Sequence, residues 1–203
     1  MIPLFLSLAA LSLQEIDRSI YEDIRYGWPD PGLRFASSFV SEVAGPPAQA
    51  GLAGLLYLRG NSSQQQAGRL AGVSLISAIA ASTGVGALVR RPRPESESSP
   101  WWSSSFPSTH ATCYYAATAV YSRKWPELAP FAAIGGVLMC FSRVHQGKHY
   151  PVDVIAGALL GYGCAAVVLA LEKPLTPVLD RLVPVRGAAV CAGPGRVGIE
   201  WGI

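Results

Sequence analysis

Residues 142–171 read SRVHQGKHYPVDVIAGALLGYGCAAVVLAL. The last twenty of them, 152–171, carry a single charge, Asp153, in an otherwise apolar run. About twenty such residues are what an α-helix needs to cross a hydrocarbon core of about 30 Å, and more than a buried strand uses. The first twelve are the reverse, with Arg143, His145, Lys148, His149 and Asp153 gathered around Gly147 and Pro151. A polar loop thus opens directly into a membrane helix, with Pro151 suited to its first position. Asp153 lies in the first turn, where a carboxylate is costly unless a partner engages it.

The rest of the chain agrees with a membrane setting. Half of its 203 residues are hydrophobic and 14% are charged, against about a quarter in soluble domains, and the mean hydropathy is +0.31. The net charge of +3 is small and its basic residues are scattered, which argues against nucleic-acid binding. Cys113, Cys140, Cys164 and Cys191 form no C-x-x-C pair, so neither a zinc site nor a disulfide framework is indicated.

Windows of spanning length predict four further membrane helices, at 33–58, 67–89, 108–121 and 127–144. The first is interrupted by Gly45, Pro46 and Pro47, and the third is short. The expected fold is therefore an all-α, polytopic membrane bundle of five to six transmembrane helices. Residues 1–13 are apolar but short for a span and read as a signal sequence or N-terminal anchor. Residues 14–32 begin with Ile16, Ile20 and Ile24 on one helical face and read as an amphipathic interfacial segment. The core is expected over 33–172. A cytoplasmic tail follows over 173–203, its Pro- and Gly-bearing part after Leu182 poorly ordered.

Short cytoplasmic loops are enriched in Lys and Arg. Arg59 and Arg69, then Arg123 and Lys124, then Lys173, Arg181 and Arg186 mark one side as cytoplasmic. The loops at 90–107 and 145–151 then meet on the outer face, of an inner (plasma) membrane. Arg90, Arg91 and Arg93 break the charge rule there, which suggests that function placed them. Residues 95–105 are Ser-rich and carry Trp101 and Trp102, indoles suited to a membrane interface.

Three clusters in those two loops carry the chemistry. Arg90-Arg91-Pro92-Arg93-Pro94 follows a span, its prolines ending the helix, and guanidinium forks suit phosphate oxygens. Snorkelling toward lipid headgroups is the plainer reading of these arginines. In Ser105-Phe106-Pro107-Ser108-Thr109-His110, Ser108 is a good N-cap. The N–H groups near Thr109 and His110 offer an anion site at a helix N-terminus, and His110 is placed to give a proton to a leaving oxygen. In the third cluster His149 and Asp153 stand four residues apart. The carboxylate can then engage one imidazole nitrogen and leave the other as a nucleophile. An attacking imidazole, an orienting carboxylate, an acid and fixed cations are what phosphoryl transfer asks for. The three histidines match no common zinc spacing, and the design requires no metal or other cofactor.

These residues resemble the type 2 phosphatidic acid phosphatase superfamily over roughly residues 86–157. Its motifs are Lys-x6-Arg-Pro, Pro-Ser-Gly-His and Ser-Arg-x5-His-x3-Asp, and the third is present in full from Ser142 to Asp153. The resemblance implies a membrane bundle with its site near the outer leaflet. It implies His149 as nucleophile, Asp153 as its partner, His110 as general acid, and Arg93, Ser108 and Arg143 as phosphate ligands; the reading of the clusters adds Thr109 and Arg91 to the phosphate-binding set. Two departures stand out. Gly86 occupies the place of the family's lysine, a loss that Arg90 or Arg91 is the nearest residue to offset, and Thr109 replaces the motif glycine.

The expected activity is metal-independent hydrolysis of a lipid phosphate or diphosphate through a phosphohistidine. Candidate substrates are an isoprenoid diphosphate, phosphatidic acid, phosphatidylglycerol phosphate and a lipid A phosphate. The expected partners are that lipid and the bilayer, with no soluble protein partner indicated. A phosphotransferase would share the intermediate. A headgroup-binding pseudoenzyme would explain the missing lysine, but has no need of His110, Arg143, His149 and Asp153 together.

Overall fold

The computed structural model describes the backbone of residues 2–96, 100, 103–185, 188–193 and 196–201, and the side chains of 12–96, 100 and 103–185. Trp101, Trp102 and Arg186 lie outside the described residues. Among the described residues the chain forms α1 (Ile2–Tyr26), α2 (Pro31–Val43), α3 (Pro46–Arg59), α4 (Ser62–Val89), α5 (Thr109–Lys124), α6 (Ala129–His145), α7 (Pro151–Ala170) and α8 (Glu172–Leu182). Beyond them, where the sequence suggested a poorly ordered tail, Ala188–Gly193 (β1) and Arg196–Trp201 (β2) pair as an antiparallel hairpin.

Local chemistry sets the boundaries. Asp30 accepts a 2.7 Å bond from Leu33 N and Pro31 opens α2. Asn61 and Gln64 form a reciprocal capping box at the start of α4. The stretch 33–58, expected as one span, is instead two helices of 13 and 14 residues. They break at Ala44 and Gly45 because Pro46 and Pro47 lack the N–H groups a continuous helix would need there.

Three helical segments among the described residues are long and apolar enough to cross a membrane: Ser62–Val89, Pro126–His145, which includes a short 3-10 turn, and Pro151–Ala170. Large apolar side chains such as Phe131, Ile134, Val137, Ile155 and Leu159 face outward, while Ser74, Ser82, Thr112, Arg143 and Asp153 are buried. This inversion of the soluble pattern suits hydrocarbon surroundings, where polar groups must be satisfied within the protein. The chain is thus a polytopic membrane helix bundle.

Helix α5 sits at its centre, and its tightest partner is α7. A Cβ on Gly157 would lie 2.6 Å from Ser108 O and 2.9 Å from the Ala111 Cβ, and one on Gly161 would lie 3.0 Å from Ala116 N. Glycine and alanine therefore bring the two backbones together without bulky side chains between them. At the end where α5 finishes and α8 begins, Lys124 meets Glu172 at 2.7 Å and buried Arg69 meets Asp180 at 2.6 Å. The opposite end collects the C-termini of α4 and α6 and the N-termini of α5 and α7, with the loops between them.

Candidate active site

The two loops that the sequence singled out meet at that second end. Ser108 N donates to Asp153 O at 3.0 Å, so the starts of α5 and α7 are joined backbone to backbone. His149, on the short loop before α7, is 2% exposed. Its Nδ1 lies 2.8 Å from Ser105 O. A carbonyl oxygen can only accept, so Nδ1 carries the proton and Nε2 keeps its lone pair. Burial is the main cause that holds His149 well below the ordinary histidine pKa, and the charges of Arg143 and Arg93 add to it. At neutral pH the imidazole is uncharged and its Nε2 is nucleophilic.

Asp153 is fully buried but does not take the expected place directly on the imidazole. Its Oδ2 is 3.9 Å from His149 Nδ1, beyond hydrogen-bond reach. That oxygen instead accepts from Ser105 Oγ at 2.5 Å and Tyr150 N at 2.8 Å. Asp153 therefore fixes Ser105, and Ser105 through its carbonyl fixes His149. The competing acceptor lies 44 positions upstream in sequence, which the four-residue spacing alone does not reveal.

At the same end stand the other hydrogen-bonding and cationic groups that the sequence singled out. Ser108 occupies the N-cap position of α5, yet its hydroxyl makes no capping bond. It is buried with no hydrogen-bond partner among the described residues, as is Nε of Arg143. Such orphaned buried donors are costly unless something fills their valence. Arg143 is held at the end of α6 by Ser41 of α2, whose Oγ accepts from Nη1 at 2.7 Å. Arg93 reaches in from the loop after α4 and donates to Lys148 O at 3.1 Å, and its burial lowers its pKa. Arg143, Arg93 and His110 are all close enough to act electrostatically on His149. The His110 ring rests beside Gly45, its Cδ2 3.5 Å from where a Cβ there would be.

Arg91 is engaged differently from the phosphate-binding expectation. Its Nη1 donates to Asp153 Oδ1 at 2.7 Å and its Nη2 to Asp17 Oδ2 at 2.6 Å. Its guanidinium carbon lies 4.1 Å from the Tyr150 ring centroid. Both terminal nitrogens thus serve buried carboxylates. The sequence reading missed Asp17, Ser41 and Ser105, whose relevance depends on contacts far apart in sequence. It also missed Ser37, whose Oγ lies 3.0 Å from His145 Nδ1.

Gly86 faces this end from α4. A Cβ there would stand 3.3 Å from both Phe106 O and Ser104 Cβ, so the loop seats on the bare backbone. Beside it a small cavity of about 60 Å³ is lined by Ser82, Thr83, Arg93, Ser104 and Thr109 among others. Among the described residues no group of three or more His, Cys, Asp or Glu side chains is gathered as a metal would require.

Comparison with known proteins agrees with this architecture. The crystal structure of Aquifex aeolicus LpxE superposes with a TM-score of 0.63 at 18% identity, covering 75% of this chain and 93% of that one. A Bacillus subtilis PAP2 type phosphatidylglycerolphosphate phosphatase superposes with a TM-score of 0.64 at 22% identity, covering 86% of this chain and 94% of that one. At these identities the likeness is one of fold. No curated protein matches the sequence. The model of the PAP2 superfamily matches residues 67–176, more than half of the chain and every one of Arg93, Ser108, His110, Arg143 and His149. With most of α4, the whole of α5 to α7, both loops and the third motif inside that match, the chain belongs to the PAP2 superfamily.

Proposed function

We propose that this protein is a membrane phosphatase that removes phosphate from a lipid phosphate or diphosphate through a phosphohistidine on His149. The observation that carries the reading is a buried, neutral imidazole with its proton fixed on Nδ1 by Ser105. At the same end lie two buried donors, Ser108 Oγ and Arg143 Nε, that have no partner among the described residues. In the first step His149 Nε2 attacks phosphorus and a P–N bond forms. The P–O bond to the lipid breaks, and His110, protonated once the anionic headgroup is bound beside it, gives that proton to the departing oxygen. In the second step His110 takes a proton from water, whose oxygen attacks phosphorus. The P–N bond breaks, inorganic phosphate leaves and Nε2 regains its lone pair. Arg93, Arg143, Ser108 and the N–H groups at Thr109 hold the equatorial oxygens, whose charge grows in the transition state. Asp153 acts through Ser105, keeping the imidazole aimed.

The membrane fold favours a substrate whose chain stays in the bilayer while its headgroup reaches the loops. Phosphatidylglycerol phosphate, the substrate in the name of the Bacillus subtilis neighbour, belongs in the test panel with phosphatidic acid, an isoprenoid diphosphate and a lipid A phosphate. The loops face outward from the plasma membrane in this reading, with 173–203 cytoplasmic and 1–13 a leader or anchor.

The test is phosphate release by purified protein in detergent, with EDTA and without added metal, comparing wild type with His149→Ala. Release that persists in EDTA and falls by at least about a thousandfold in the variant is expected. Folded protein that releases nothing from any member favours a headgroup-binding pseudoenzyme, the reading to which Gly86 in place of a lysine lends support.

A further inference from the structure

We infer that Asp17, on the N-terminal helix and outside every motif of the family, is a positioning residue for His149. The inference rests on the phosphatase reading of the site. Asp17 is 3% exposed, and each of its oxygens is used. Oδ2 accepts from Arg91 Nη2 at 2.6 Å and Oδ1 from Val152 N at 2.9 Å. Val152 N is one of the first N–H groups of α7, which lack partners within the helix. Asp17 therefore caps the helix that carries Asp153 and at the same time grips the arginine that binds Asp153.

The contacts form one continuous chain. Asp17 holds Arg91, Arg91 holds Asp153 Oδ1, Asp153 Oδ2 holds Ser105 Oγ, and Ser105 O holds His149 Nδ1. Arg91 also lies over the Tyr150 ring, so its plane is fixed between an aromatic face and two carboxylates. Asp17→Asn removes the charge and keeps one acceptor oxygen where two are used, so either Arg91 Nη2 or Val152 N would face an amide NH2 instead of an acceptor. A half-buried arginine shared between two carboxylates would become a one-to-one pair, free to turn about Asp153. The carboxylate would then no longer be held to Ser105 in a single geometry. A phosphoryl transfer that depends on alignment is sensitive to small displacements of this kind. In this arrangement α1 is a part of the catalytic apparatus, since it supplies the outermost member of the chain.

The experiment compares wild type, Asp17→Asn and Asp17→Glu as full-length protein in detergent. It measures kcat and KM for phosphate release from phosphatidic acid and from an isoprenoid diphosphate, thermal midpoints, and ¹⁵N shifts of histidine-labelled protein, with His149 assigned from His149→Ala. The expected result for Asp17→Asn is a kcat lowered at least tenfold with KM within about threefold, and a His149 signal moved from the Nδ1–H form toward a tautomer mixture. Asp17→Glu recovers part of the rate. A kcat within twofold of wild type, or a loss of rate matched by loss of folded protein with an unchanged His149 signal, overturns the proposal. If Asp17→Asn does not fold, Arg91→Lys takes its place, keeping the cation but losing the fork, with the same criteria. If wild type releases no phosphate the phosphatase reading fails by itself. The ¹⁵N signal then decides whether Asp17 sets the imidazole, and an unmoved signal in the variant sinks that claim.

Discussion

At the level of single residues, the chain from Asp17 to His149 replaces the simple pair suggested by the sequence. His149 and Asp153 were legible because a four-residue spacing puts them near one another at a helix start. The acceptor that fixes the imidazole was not, because Ser105 enters through its main-chain oxygen and a carbonyl leaves no mark on residue type. The same holds for Ser41, one serine among several on α2 until it is seen 2.7 Å from Arg143. The depressed pKa of His149 has two measurable results. The attacking form is the neutral one, so kcat/KM should change by less than about twofold between pH 7.5 and 6.5 on account of this group, its acidic limb falling lower. Stability has the matching sign. Below an unfolded pKa of about 6.5 the unfolded chain takes a proton that folded His149 refuses, so stability falls with pH at up to about 1.4 kcal/mol per unit. A thermal midpoint that drops from pH 7 to 5 in wild type, and drops less in His149→Ala, is the expected outcome.

At the level of elements, length and hydropathy located α4, α6 and α7, because each is a long apolar run. They failed at 33–58, where an apolar window hides the change of direction imposed by Pro46 and Pro47. The seam between α5 and α7 was also invisible to hydropathy, since Gly157, Gly161, Ala111 and Ala116 score as unremarkable apolar residues. Their importance lies in what a larger side chain would strike. Gly157→Val should cost about 2–3 kcal/mol by forcing the helices apart. Because Ser108 N and Asp153 O are joined at the top of this seam, activity should fall more steeply than the thermal midpoint does. Measuring both on the same detergent preparation separates the two effects.

At the level of the whole molecule, the alternation of helix directions brings the 90–107 and 145–151 loops to one end and Arg69, Lys124 and Glu172 to the other. In the proposed reading the second end, which holds these Lys and Arg residues, is the cytoplasmic one. Single-cysteine labelling of intact cells tests it. Lys148→Cys should react with a membrane-impermeant maleimide, above the background of wild type, and Arg59→Cys only after the cells are opened. The reverse pattern would turn the site inward.

Those alternating directions carry an electrostatic consequence. Of the four helices that carry the motifs, α5 and α7 begin at the His149 end while α4 and α6 finish there, and α2 ends beside His110 where α3 begins, so positive and negative termini of about half a charge each meet there in equal number. Seen from a distance their fields nearly cancel. Long-range pull on an anionic headgroup must then come from side-chain cations, Arg93 after α4 and Arg143 at the end of α6, both standing where the negative termini lie. The backbone N–H groups of α5 act only at contact. Arg93 and Arg143 thereby serve both recruitment and grip while the N–H groups serve grip alone, and added salt should slow the capture of substrate far more than it slows the chemical step that follows.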